Sequence, residues 1–200
     1  MDFFEIIRGR RSVRAFRPDP LSRAQIEQIL EAGRWAPSPH GRQPWRFVVL
    51  ESAAARARLA DAMGAEWRRQ LALDGQADEI IALRHRKSQE RIAGAPCVVV
   101  PCLYLEDLDV YPDAERQAAE TTMAVQSLGC AVQNMLLAAY ALGLDGGWMC
   151  APLFCQPTVR AALGLAETLH PHALLTLGYA AKDPVRREHR PIEDLVAVWL

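Results

Sequence analysis

Three arginines bracket a single hydroxyl in the segment Arg10-Arg11-Ser12-Val13-Arg14, and five arginines fall within the first seventeen residues. A guanidinium offers a planar fork of N–H donors that matches two oxygens of a phosphate, and a neighbouring serine adds a short donor. The chain as a whole carries a formal net charge of −1, so this cluster is a local concentration of positive charge. Two readings follow from it. One is a phosphate-binding segment. The other is a solvated helix end whose cations complement the helix dipole.

Other chemistry-bearing residues are few. A proline-rich loop, Ala36-Pro37-Ser38-Pro39-His40-Gly41-Arg42-Gln43-Pro44, carries one histidine. His40 either faces a substrate or is a plain surface residue. Arg68, Arg69, Arg84, Arg86 and Lys87 lie in two polar segments; they form either a lid that attracts an anionic substrate or an ordinary solvated face. No Ser/His/Asp arrangement and no isolated carboxylate pair is present. Gly143 to Gly147 does not fit G-x-G-x-x-G, which disfavours a Rossmann dinucleotide site. The five cysteines are Cys97, Cys102, Cys130, Cys150 and Cys155. None forms Cys-x-x-Cys or has a histidine at zinc-like spacing, so reduced thiols, a cytoplasmic compartment and no metal are expected.

The elements that must position these residues can be read from pattern. Residues 2–9 read as a short helix with Phe3, Phe4, Ile6 and Ile7 on one side. Pro18 and Pro20 force an extended passage. Ser22 and Gln25 make a capping box before the stripe Ile26, Ile29, Leu30. Trp45–Leu50 reads as a strand, with Trp45 as a core anchor. Polar helices are expected at 53–71 and 76–93, around Asp74-Gly75. Pro96–Leu103 is a continuous apolar run, as a buried strand requires. A long helix is expected from Tyr111-Pro112 to Leu142, apolar nearly all round in its second half and therefore central to the core. An Asp145-Gly146-Gly147 turn then leads into a short strand, Trp148 to Pro152. A helix near 156–163 and a strand from Ala173 to Tyr179 complete the pattern. The tail 182–191 is basic, and Ile192–Leu200 is an apolar end that needs a surface to cover it. With the apolar first helix, that end suggests a homodimer.

The 200 residues suit one α+β domain spanning 1–200. Near-neutral charge argues against a nucleic-acid partner. The longest apolar stretch, Leu128 to Leu144, is broken by Gln133 and Asn134, and is short of the about 20 residues a bilayer span needs. No membrane partner and no signal peptide are expected.

Several of these segments occur together in a fixed order. Arg10 to Phe16 comes first, then Ala36-Pro37-Ser38 leading to Gln43-Pro44-Trp45-Arg46-Phe47. Gly143-Leu144 precedes Gly147-Trp148-Met149, and Leu177-Gly178-Tyr179-Ala180 leads to Arg190-Pro191. Together they resemble the FMN-dependent nitroreductase family over essentially the whole chain. The resemblance implies a mixed, mainly antiparallel sheet flanked by helices in a domain-swapped homodimer with FMN at the interface. It implies that Arg10, Arg11 and Ser12 hold the flavin phosphate and that Arg14 lies nearer the ribityl chain and pyrimidine edge. It implies that Pro37, Ser38 and Pro39 approach from the other subunit, that the backbone at Cys150 and Ala151 faces flavin N5, and that Arg187 or Arg190 completes the phosphate site. Where the family has an asparagine this chain has Gly41, and Arg42 or Gln43 is the available substitute. The implied activity is ping-pong hydride transfer from NAD(P)H through FMN to a nitro, quinone or activated double-bond acceptor. Residues 66–75, 95–96 and 111–116 also resemble the nitroreductase-like C-terminal domain of the F420 γ-glutamyl ligase, which implies a dehydro-F420-0 reductase of coenzyme F420 biosynthesis. In that case the acceptor carries phosphate, and His40, Arg68 and Arg69 are candidate substrate contacts. A non-catalytic flavin-binding or regulatory dimer is the third reading.

Overall fold

The computed structural model describes residues 2–184 and 188–200. Five strands form one sheet: β1 (Trp45–Leu50), β2 (Cys97–Tyr104), β3 (Asp145–Met149), β4 (Leu169–Pro171) and β5 (Leu174–Gly178). The spatial order is β1-β2-β5-β3, and β4 pairs with the end of β2. Every strand pair is antiparallel. The parallel component that a mixed sheet requires is reduced to a single bridge, Ser12 to Gly146.

Among the described residues six α-helices cover both faces: α1 (Phe3–Gly9), α2 (Arg23–Arg34), α3 (Ala53–Leu73), α4 (Asp78–Ala93), α5 (Ala114–Ala141) and α6 (Gln156–Leu163). The central strand β2 explains its own apolar run. Val98, Val100 and Cys102 pack on one side with Leu59, Met63, Ile92 and Val159. Cys97 and Val99 pack on the other side with Ile26, Ile29, Val132 and Met135. A strand buried on both faces has no polar positions left in its alternation. A third cluster, including Trp45, Leu103, Ala124 and Leu128, closes the lower end of α5. None of the described helices is long and apolar enough to cross a membrane.

Local caps set the boundaries. The expected capping box forms at Ser22 and Gln25, and a second one forms at Asp2 and Glu5. Asp113 caps α5, so that helix starts just after the Tyr111-Pro112 pair. The first polar helix runs two residues beyond expectation, to Leu73, and the second starts two residues later than expected, at Asp78; between them Gly75 turns with φ of 68°.

One expected turn is strand instead. Asp145, Gly146 and Gly147 belong to β3, and the chain reverses at Gly143, with φ of 75°. The paired glycines answer a packing demand: a Cβ on Gly147 would stand 2.4 Å from the Val13 carbonyl oxygen, and one on Gly146 would stand 2.7 Å from Leu136 Cδ2. Strand β4 carries no alternation long enough to be read in advance.

All five cysteines are free thiols, with Cys97, Cys102 and Cys155 buried. Burial pushes the thiols of Cys97 and Cys102 up to about 12 and that of Cys155 to about 11, so they stay protonated.

Asp145 opens β3, and burial raises its carboxyl above the ordinary carboxylate range; the Ala180 N–H opposes this shift and nearby Asp183 adds to it. The unfolded chain therefore ionises first, and the folded state loses stability as pH rises through that range and stays penalised at neutral pH. Asp145→Asn is expected to raise the melting temperature at pH 7 by about 1–3 °C. The gain should vanish near pH 3, where the acid is neutral in both states. Circular-dichroism melts at the two pH values check this, and an unchanged or lower value at pH 7 contradicts it.

Candidate active site

The arginine cluster is set by what happens on either side of it. Helix α1 ends at Gly9, where Tyr140 of α5 lies so close that a Cβ would meet its hydroxyl at 2.3 Å. The chain then runs extended along the edge of the sheet. Val13 N–H donates to the Gly146 carbonyl at 2.9 Å, Arg17 N–H to Tyr179 at 2.8 Å, and Ala181 N–H to Ala15 at 3.0 Å. Alternation along this stretch buries Val13 and leaves Ser12 and Arg14 exposed.

The exposed side opens on a cavity of about 790 Å³, lined by residues 10–16, by Lys87, Glu90 and Arg91 of α4 and Gly94 just past it, and by Lys182, Pro184 and His189 of the tail. Arg10, Arg11, Arg14, Lys87, Arg91 and Lys182 converge there against the single carboxylate Glu90, which also sits 3.8 Å from Arg86. A concave surface with this charge balance attracts anions strongly. Arg10 Nε is buried and has no hydrogen-bond partner among the described residues. Arg11 has a second task, because its Nη1 donates to the carbonyls of Arg8 at 2.5 Å and Arg10 at 2.7 Å, at the C-terminal end of α1. An orphaned guanidinium N–H inside a ring of cations fits a phosphate with oxygens to spare.

The structure brings Arg10, Arg11, Ser12 and Arg14 together with the tail, but through Lys182 and His189 rather than Arg190, which does not line the cavity. Arg187 lies outside the described residues. Of the five cations expected as a lid, Lys87 alone lines this cavity, and Arg91 joins it as an addition. They stand four apart on α4, a spacing that puts two cations on one helix face and was available in the sequence.

Pro37, Ser38, Pro39, His40 and Gln43 form a separate loop between α2 and β1 and take no part in the cavity wall. The Gln43 N–H donates to Ser38 Oγ at 3.0 Å, and its side-chain amide donates to the Arg34 carbonyl at 3.3 Å. Arg42 is paired with Asp109. Both substitutes for the missing asparagine are therefore engaged within this chain. Cys150 and Ala151 are exposed just past β3. Arg68 and Arg69 line a different hollow of about 380 Å³ with Asp78 and Ile81. Arg69 donates to Glu66 and holds that carboxyl down to about 2, with help from Gln70. These two arginines do not extend the first cavity.

The fold is that of an α+β protein with a doubly covered antiparallel sheet and a cation-lined cavity at the sheet edge. The chain belongs to the nitroreductase family, whose model matches residues 7–179. A Bacillus subtilis protein, YfhC, provisionally named an NAD(P)H nitroreductase, is 27% identical over 95% of this chain and 90% of its own. A Desulfovibrio desulfuricans protein solved in complex with FMN is 28% identical, with a TM-score of 0.74 over 98% of this chain and 96% of that one. NfnB of Mycobacterium smegmatis, an FMN-dependent nitroreductase solved with NADPH, is 25% identical, with a TM-score of 0.76 over 98% and 97% of the two chains.

Gly147→Ala should push the 12–17 segment off the sheet edge and cost about 1–3 kcal/mol of stability, as overpacking of a close contact does. Urea unfolding measures the loss, and faster tryptic cleavage after Arg14 reports the released segment. Unchanged stability and cleavage would show that the close approach is not required.

Proposed function

We propose that this chain is an FMN-dependent oxidoreductase that takes electrons from NAD(P)H and delivers them to a nitro, quinone or activated double-bond acceptor. The observation that carries the reading is the convergence of six cations and an orphaned Arg10 Nε in one cavity of a nearly neutral protein. The FMN and NADPH complexes of its relatives support it.

In this reading Arg10, Ser12 and Lys182 hold the flavin phosphate, with Lys87 and Arg91 adding charge. Arg14, one step along the exposed side, reaches toward the ring edge. The end of β3 presents the backbone N–H groups of Cys150 and Ala151. Bound there, FMN supplies two-electron redox chemistry. The chain's own part is to bind, orient and bias charge, and among the described residues Glu90 and His189 are the acid–base side chains that line the cavity. The loop 37–43, remote from the cavity wall of its own chain, serves a second copy. Phe3, Phe4 and Ile7 of α1 and Ile192, Leu195, Val198 and Trp199 are exposed, and their burial against that copy is the driving force for a homodimer.

The dehydro-F420-0 reductase reading needs a further cationic surface for a phosphate-bearing acceptor. Arg68 and Arg69 line their own hollow, and Arg69 is engaged by Glu66. The general oxidoreductase reading is therefore taken, and the narrower one stands as an alternative for the acceptor.

The first test is the visible spectrum of the purified protein and its response to anaerobic NADH or NADPH. Flavin bands that bleach are expected, followed by recovery on adding a nitro or quinone acceptor. Bands that bleach without any acceptor turnover would favour the dehydro-F420 precursor or a regulatory dimer. Arg10→Ala and Arg14→Ala should each weaken FMN binding about 10- to 100-fold, the worth of a charge-assisted hydrogen bond. Unchanged affinity in both contradicts the cradle. Light scattering should give a dimer, and removal of residues 191–200 should shift it toward monomer; a monomeric full-length chain would sink the shared-site part of the reading.

A further inference from the structure

Glu120 of α5 is 1% exposed, and neither of its carboxylate oxygens has a hydrogen-bond partner among the described residues. A carboxylate buried in this way is costly unless a proton or a cation neutralises it. Two other ligating side chains converge on it. His40 comes from the loop between α2 and β1, and Asp109 from the loop between β2 and α5. One ligand atom from each of the three lies within 4.8 Å of the others.

We propose that His40, Asp109 and Glu120 form a divalent transition-metal site that ties the 37–43 loop to the first turns of α5. The donor set decides the class of ion. One imidazole nitrogen with two carboxylates suits Mn²⁺, Fe²⁺, Co²⁺ or Zn²⁺, whereas Ca²⁺ and Mg²⁺ prefer all-oxygen ligation. Bonds of about 2.0–2.2 Å to a common ion set three ligand atoms about 3.0–3.6 Å apart. The three groups, within 4.8 Å of one another, therefore close by up to about 1–2 Å on an ion, and His40, on an exposed loop, has the freedom to move. Three protein ligands leave positions for water.

The surroundings brace these ligands. Arg42 donates to Asp109 Oδ1 and orients its carboxylate, the outer-shell arrangement that metal carboxylates commonly have. Its charge cancels one of the two carboxylates, which leaves one net negative charge for the incoming cation. Gln117 of α5 accepts from the Tyr111 N–H at 2.9 Å and donates to the Asp109 carbonyl at 3.4 Å, so the second loop is fixed to the same helix. His40 itself sits at φ of 53°, a left-handed conformation whose cost ligation would offset. The site stands apart from the arginine cavity and does not depend on the flavin reading.

The test is Mn²⁺ uptake by the purified full-length protein after dialysis against EDTA, followed by the loss of the free Mn²⁺ paramagnetic resonance signal. Mn²⁺ is chosen because the exposed thiols of Cys130 and Cys150 would compete for Zn²⁺. One equivalent per chain is expected, with a rise in melting temperature. Glu120→Gln, which keeps shape and volume, and His40→Asn, which tolerates the left-handed backbone, should each weaken binding at least 10-fold. Absence of uptake at millimolar Mn²⁺ overturns the proposal. So does uptake that both variants leave unchanged, which marks surface binding. If Glu120→Gln does not fold, His40→Asn and Asp109→Asn carry the same readout. Flavin content of the same samples separates failure of this site from failure of the oxidoreductase reading.

Discussion

The close contact between the 12–17 segment and the outer edge of β3 is the constraint on which the candidate site rests. An unpaired sheet edge exposes a row of backbone donors and acceptors that must be satisfied or covered. Here the N-terminal segment covers part of that edge, through the Val13 bond to Gly146, and continues to the end of β5 through Phe16 and Ala180. The pairing fixes which side chains alternate outward. Without it, Ser12 and Arg14 would have no defined direction, and the charge at residues 10–14 would be a solvated run. The residue on the partner side has to be glycine because the Val13 carbonyl occupies the space of a side chain. A backbone contact thus turns a basic stretch of sequence into a directed set of donors.

The rest of the molecule supplies a rigid reference for that contact. β2 and β5 are buried on both faces, with α3 and α6 on one side and α2 and α5 on the other. Such a strand pair can shift neither toward nor away from its helices without opening a void. β3 hangs on β5 through five register pairs, so the edge that receives residues 12–17 inherits the stiffness of the core. Helix α4 lies on the opposite side of the cavity and contributes Lys87 and Arg91 from a polar helix whose only buried residues are Ile81 and Ile92. One wall is therefore set by sheet hydrogen bonding and the other by a lightly packed helix.

Much of this was legible in the residues. The capping box at Ser22 and Gln25, the apolar run of β2, the featureless apolar half of α5 and the exposed ends all follow from local pattern. The basic cluster pointed to phosphate chemistry by residue type alone. What sequence reasoning missed shares one cause. Gly146 and Gly147 resemble a turn because nothing local distinguishes a glycine chosen for φ from one chosen for close approach. Lys182 and Arg91 reach the cavity through tertiary contacts that no window contains. Glu120 has helix-surface character by type, and its burial depends on loops that join it from far away along the chain. Arg190, by contrast, has the right charge in the right tail and still does not face the cavity.

The clasp between the N-terminal segment and the second half of the chain has a kinetic consequence. Ser12 meets Gly146, and Phe16 meets Ala180, so the cradle closes only after most of the sequence is in place. Contacts of such separation carry a loop-closure entropy that the local helices do not. The helices and the β1–β2 pairing involve shorter closures and can precede it. The cation-lined cavity is thus among the last features to form, and the chain brings its arginines together at the same moment that it completes its sheet.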